Sequence, residues 1–186
     1  MMTNRKSQII ELTLKNIQEK GFTSFSYDYL AKELGVTKAS IHYHFEKKED
    51  LGLAVCERIQ KGLREVYTFI KESTVAAEDK PFAFILQRIK FLEQDGVCPI
   101  SALHADYQEL SPAMQEKVQQ LSQMEVDVLV DLLQDAKHHG SLKSTMDLEA
   151  LAILLISSTK GALQYKRVLG EDFFHKVLDQ LKELLK

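Results

Sequence analysis

The stretch 27–45, YDYLAKELGVTKASIHYHF, limits what this chain can fold into more than any other. It reads as two short helices joined by a tight turn. Ser26 is the N-cap of the first, because its hydroxyl can accept from an orphan amide of the opening turn. Asp28 suits the positive end of that helix. Tyr27, Leu30, Ala31 and Leu34 recur at helical spacing and make one apolar face. Gly35 falls where the helix must stop, and glycine takes a left-handed conformation there without a Cβ clash. Val36 follows as an apolar plug, and Thr37 can cap a second helix through KASIHYHF. Ala31 is small where the helices cross, which allows a steep packing angle. This is a helix-turn-helix pattern, whose second helix is the element that enters a DNA major groove.

The remainder also reads as helical. The 186 residues include only three prolines and eight glycines, strand-like alternation is scarce, and a hydrophobic content of 45% is ample for a core. The expectation is an all-α protein of about nine helices. Helix 1 is expected at 4–20, with Ile10, Leu14 and Ile17 buried, Ile9 and Thr13 flanking them, and a Schellman ending in which Phe22, after Gly21, packs back on Ile17. Helix 4 is expected at 47–72, with Leu51, Val55, Ile59, Leu63, Val66 and Ile70 on its buried face. Residues 73–80 read as a linker, and Pro81 opens helix 5 at about 82–93, ending near Asp95-Gly96. Cys98-Pro99 interrupts the pattern. A short helix at about 101–109, a long one from Ser111-Pro112 to about His139, and helices at 148–169 and 173–185 complete the layout.

The net charge is −3, from 24 basic and 27 acidic residues, which argues against non-specific coating of nucleic acid. Through residue 50 eight Lys/Arg stand against seven Asp/Glu, so any affinity for DNA must come from where the charges sit. The N-terminus has no apolar stretch of signal length. The longest apolar run, 150–156, is far short of the roughly 20 residues a membrane span needs. Two cysteines, Cys56 and Cys98, do not make a disulfide framework. A cytoplasmic protein without membrane contact is expected.

After IHYHF comes EKKEDL, a turn leading into the next helix. The order of a glycine-ended helix (GF at 21–22) and then LAKELGVTKASIHYHFEKKEDL closely resembles the DNA-binding domain of TetR/AcrR-type transcriptional regulators. Leu30-Ala31, Gly35-Val36-Thr37-Lys38, Ser40, His44-Phe45, Lys48 and Leu51 carry the resemblance. It covers about residues 5–55, and beyond them rests on length and helical layout. It implies a DNA-binding domain at 1–46 and a ligand-binding and dimerisation domain at 47–186, with helix 4 linking the two. The commonest family residue at position 42 is tyrosine, and this chain has His42 with Tyr43 beside it. A protonated histidine would strengthen a phosphate contact there.

The residues assigned to DNA are Ser26, Tyr27, Thr37, Lys38, Ala39, Ser40, His42, Tyr43, His44 and Lys48. Thr37, Ser40 and the helix N-terminus suit phosphate. Lys38 suits a phosphate or the O6/N7 edge of guanine. By resemblance, Lys48 clamps the phosphate backbone. The partner expected is double-stranded DNA bearing a palindrome, read by a homodimer with half-sites roughly 34–36 Å apart or a multiple of it. Dimerisation is assigned, by resemblance, to the last two helices through Leu155, Thr159, Leu163, Phe174, Val177, Leu178 and Leu181. A small-molecule effector is implied, with Phe82, Ile89, Cys98, Leu103, His104, Tyr107, Met124 and Val128 as pocket candidates, although each also fits a plain core.

No cofactor or metal is expected. His138-His139-Gly140 reads as a helix ending as well as a metal tract, and better as the former. Cys98 reads either as a small residue at a turn or as a redox or electrophile sensor. No P-loop, GxSxG, HExxH or zinc-type cysteine pairing occurs. The reading is a regulator, most simply a repressor released by its effector, and not an enzyme. A helical adaptor with a vestigial helix-turn-helix and a small helical enzyme using Cys98 or His104 remain as alternatives.

Overall fold

The computed structural model describes residues 4–90, 92, 96–140, 142 and 145–185. Among them the chain forms α1 (Arg5–Lys20), α2 (Tyr27–Leu34), α3 (Lys38–His44), α4 (Lys48–Glu72), α5 (Lys80–Lys90), α6 (Pro99–Ala105), α7 (Pro112–His138), α8 (Leu148–Leu169) and α9 (Glu171–Glu183). Short 3-10 turns lie at Phe22–Ser24, Ala77–Asp79 and Tyr107–Glu109. The fold is all-α. Among the described residues no helix is long and apolar enough to cross a membrane.

Caps fix the helix starts. Asn4 accepts from the Lys6 amide, Ser26 from Tyr29, Thr37 from Ser40 and Asp147 from Ala150. Each satisfies an amide that the first helical turn leaves open.

By packing, the chain divides into two compact units, Met1–Lys61 with Gly96–Leu121, and Gly62–Asp95 with Ser122–Lys186. The sequence partition at 46/47 follows a different line. The first unit takes in the start of α4, all of α6 and the start of α7, because α1 packs on α6 as well as on α2. Its fully buried side chains include Ile9, Ile17, Leu30, Ile41, Leu51, Ile100, Leu103 and Met114. The second unit has its own core, built from Leu63 and Ile70 of α4, Phe84 and Ile85 of α5, Leu129 and Leu132 of α7, Leu151 and Leu155 of α8, and Leu181 of α9. Burying each such side chain contributes about 1.5–3 kcal/mol.

Several local expectations are corrected. The buried stripe of α1 is Ile9, Thr13, Asn16 and Ile17, and Ile10 and Leu14 are only half-buried. Two polar groups go inside because both are bonded: the Thr13 hydroxyl donates to the Ile9 carbonyl, and Asn16 Oδ1 accepts from the Ser24 hydroxyl. Gly21 (φ 87°, ψ 167°) is not in the left-handed helical well, so no Schellman motif forms there. Pro99 occupies the first turn of α6 and starts that helix rather than preceding it, and residues 107–109 are a separate 3-10 turn. Helix 5 begins two residues earlier than expected and is described to Lys90; its expected end, at 93–95, lies outside the described residues. The last helix starts at Glu171, two residues earlier than expected.

Candidate nucleic-acid interface

The Schellman motif sits at Gly35 instead. Gly35 is left-handed (φ 63°, ψ 37°), the Val36 amide donates to the Ala31 carbonyl at 2.9 Å, and the Gly35 amide donates to Lys32 at 3.2 Å. The chain therefore turns sharply into α3. Ile41 (0% exposed) and Phe45 (4%) pin α3 to the core. With that side buried, the opposite one faces out: Thr37, Lys38, Ala39, His42 and Tyr43 are exposed, and Ser40 and His44 are half-buried.

Tyr43 is 86% exposed and its ring meets His44 edge-on at 5.2 Å. Beyond that contact so exposed a ring adds little to packing, and most of it is open to another surface. Lys38 Nζ lies 2.8 Å from Asp28 Oδ2, with both side chains more than half exposed. Such a surface pair is worth only about 0–1 kcal/mol, so Lys38 can exchange Asp28 for a phosphate at little loss.

His42 is held on two sides. Its ring packs edge-on against Tyr27 at 4.6 Å, and its Nδ1 lies 3.2 Å from the Glu46 carbonyl. A carbonyl only accepts, so this bond places the proton on Nδ1. Nε2 is then an acceptor in the neutral ring and a donor once protonated. Tyr27 itself is buried (8% exposed), and its hydroxyl has no hydrogen-bond partner among the described residues. Burial, reinforced by the Asp50 charge, pushes the Tyr27 phenol up to about 12. The structure thus places Tyr27 as a support under His42. Ser26 is exposed and engaged as the α2 cap.

Lys48, at the start of α4, lies over the rings of Phe25 (4.3 Å) and Phe22 (5.0 Å) and donates to the Thr23 carbonyl at 3.2 Å. Burial lowers its pKa, with the Asp106 charge partly offsetting that. Lys48 therefore grips the Phe22–Ser24 turn that leads into α2. Asp106 holds the same turn: one carboxylate oxygen, Oδ2, accepts the Phe22 amide at 2.6 Å and the Thr23 amide at 3.2 Å. A Cβ on Gly21 would stand 2.8 Å from that oxygen, and its positive φ of 87° also disfavours any side chain there. Sequence reading missed Asp106. It lies far from the helix-turn-helix in the chain, with no local signal.

The pocket candidates fall into two groups. Phe82, Ile89, Met124 and Val128 are partly buried and pack against the core of the second unit. Cys98, Leu103, His104 and Tyr107 belong to the first unit. Leu103 is fully buried and Cys98 is 7% exposed at the N-cap position of α6, with no side-chain capping bond. His104 is exposed, and the Tyr107 hydroxyl accepts from Gln119 Nε2 at 2.6 Å. Cys56 is fully buried, and burial pushes its thiol up to about 12, which leaves it unreactive. His138 and His139 end α7, with the His139 ring bonded to the Asp135 carbonyl.

The residues assigned to dimerisation lie on the inward side of their helices. Leu155, Thr159, Leu163, Phe174, Leu178 and Leu181 are buried within the single chain, and Val177 is half-buried. The outward side of α8 carries a different stripe: Ile153, Leu154, Tyr165, Val168 and Leu169 are exposed, with Ser157 and Gly161 between them. A Cβ on Gly161 would meet nothing within 4 Å. Intramolecular and outward apolar faces alternate too closely on this helix for spacing to tell them apart.

Comparison with known proteins matches residues 9–55 to the family described as "Bacterial regulatory proteins, tetR family" and residues 82–176 to "Tetracyclin repressor-like, C-terminal domain". An uncharacterized HTH-type transcriptional regulator, YerO, of Bacillus subtilis is 34% identical over 56 residues, which span 30% of this chain and 19% of that protein. The fatty acid metabolism regulator protein of Bacillus subtilis is 23% identical over 141 residues, 75% of this chain and 72% of that one. A TetR transcriptional regulator from Legionella pneumophila shares the fold over 100% of this chain and 99% of its own, with a TM-score of 0.90 and 24% identity.

Proposed function

This chain belongs to the TetR/AcrR family of DNA-binding transcriptional regulators, which are not enzymes, and on that premise we propose that it is a repressor that binds a palindromic operator as a homodimer and is released by a small molecule. The observation that carries the reading is the outward face of α3. Lys38, His42 and Tyr43 project from a helix whose other side is locked by Ile41 and Phe45. Thr37, Ser40 and Lys48 remain assigned to phosphate, and Lys48 would then serve DNA while still bracing the turn beneath it.

A single seven-residue helix reads few bases, so useful specificity asks for two copies. The apolar stripe of α8, with its small central residues, supports a two-fold contact between the α8 helices of two chains. The effector reading draws on the second unit, where Phe82, Ile89, Met124 and Val128 line the core. Release requires that the effector prefer one dimer shape over the other, since equal affinity shifts nothing.

Selection of bound duplexes from a random pool at near-physiological salt tests this. Enrichment of one palindrome is expected. A folded dimer that enriches no sequence, with or without cell extract as an effector source, overturns it.

A further inference from the structure

In the second unit α5, α7 and α8 meet at one carboxylate. Glu125 is 6% exposed. Its Oε1 accepts from Arg88 Nη2 at 3.3 Å, and its Oε2 accepts from Lys160 Nζ. The Arg88 and Lys160 side chains are themselves only 18% and 16% exposed. Among the described residues, Glu125 is the carboxylate both cations share, so the cluster holds one positive charge in excess.

The junction therefore carries an unmatched positive charge that is largely shielded from water. An extra cation kept from water is unfavourable until a counter-anion joins it. The residue next to Lys160 adds a second observation. Thr159 is 7% exposed and its hydroxyl has no hydrogen-bond partner among the described residues. A helical threonine can ordinarily satisfy itself on the carbonyl one turn back, and this one does not. The same three helices supply apolar surface beside the charges. Ile89 follows Arg88, Met124 and Val128 flank Glu125, and Ile156 lies one turn before Lys160, all partly buried against the core.

We infer that this cluster receives the head group of an anionic amphiphile, a singly charged acid on an apolar body. The acid group bonds to Arg88 and Lys160, whose donors outnumber what Glu125 can accept, and Thr159 supplies a hydroxyl. The body lies against Ile89, Met124, Val128 and Ile156. This names the chemical class of effector and rests on the proposal that the second unit binds a small molecule.

The test titrates the full chain with 8-anilinonaphthalene-1-sulfonate and with N-phenyl-1-naphthylamine, the same body without its charge. Saturable one-to-one sulfonate binding is expected. Lys160→Met and Arg88→Met each weaken it at least tenfold while the neutral probe stays within twofold. Glu125→Gln, which removes the competing carboxylate, tightens it. Far-ultraviolet dichroism melts establish that each variant is folded. Should a variant not fold, displacement of the sulfonate from the unaltered chain by dodecanoate, and not by dodecan-1-ol, gives the same information. Unchanged sulfonate affinity in both methionine variants, equal weakening of the two probes, or equal displacement by acid and alcohol overturns the inference. Neutral-probe binding without sulfonate binding removes the anion class and leaves a small-molecule site. Binding of neither probe removes both.

Discussion

The Asp106 carboxylate accepts the Phe22 amide proton at 2.6 Å, joining residues 84 positions apart. The bond fastens the segment after α6 to the turn that sets where α2 begins. Asp106→Ala leaves the Phe22 and Thr23 amides without their acceptor and is expected to destabilise the chain by about 1–3 kcal/mol. Asp106→Asn, which still accepts, is expected to lose less. Thermal melts of the two variants check this, and equal melting temperatures for Ala and wild type would contradict it.

Gly35 carries a positive φ with open space around its Cβ position. Gly35→Ala therefore meets no clash and is expected to cost only the left-handed strain, about 1–2 kcal/mol. Gly35→Asn is expected to cost less, because asparagine tolerates that conformation. Chemical denaturation curves give both values, and an alanine variant as stable as the wild type would show that the turn can rearrange.

Tyr43→Ala removes an 86% exposed ring and is expected to leave the melting temperature within 1–2 °C of wild type, roughly what an exposed site allows. Operator affinity is expected to fall by at least tenfold, about 1.4 kcal/mol. Lys38→Ala is expected to weaken binding across sequences and to reduce the salt slope by about one for each chain. Affinity measured against salt concentration, on the selected operator, distinguishes the two roles.

Leu154 and Leu155 adjoin in sequence, about 100° apart around the helix, and are 47% and 0% exposed. Leu154→Glu is expected to yield folded monomers. Leu155→Ala opens a cavity in the chain's own core and is expected to destabilise by about 2–5 kcal/mol without changing the outward face. Sedimentation and melting together decide the matter. A dimeric Leu154→Glu variant would move the dimer surface elsewhere.

Burial alone would raise the Asp131 pKa, but hydrogen bonds from Lys71 and Tyr67 outweigh it and hold the carboxyl below its ordinary value. A value depressed by folding contributes stability above the unfolded carboxyl pKa, about 3.9, and that contribution is lost as pH falls through the folded value. Asp131→Asn is expected to melt below wild type at pH 7 and to approach it at pH 3. With 47% of the side chain exposed, the difference at neutral pH is about 0–1 kcal/mol. A gap that is the same at both pH values would assign the loss to something other than charge.

Much of the DNA-facing half was legible in the amino-acid order. The Ser26 and Thr37 caps, the left-handed Gly35 and the α4 stripe of Leu51, Val55, Ile59, Leu63 and Ile70, with Val66 only half-buried, appear as read, because each depends on residues within a few positions along the chain. The exposure of Lys38, His42 and Tyr43 goes with the burial of Ile41 on the same short helix and of Phe45, the residue that ends it. Composition and periodicity determined an all-α chain, and the run through Lys48 and Leu51 determined the family.

The tertiary structure decided what depends on which helix lies against which. Whether Leu154 or Leu155 faces outward is a rotation that two adjacent leucines cannot specify. The role of Lys48 turned on Phe22 and Phe25, and the anchoring of the turn after α1 on the aspartate that follows α6. Arg88, Glu125 and Lys160 lie in three separate helices and share no local pattern. Helical periodicity reports that a face is apolar or charged. The partner that meets it is set by long-range packing, which the order of neighbouring residues does not encode.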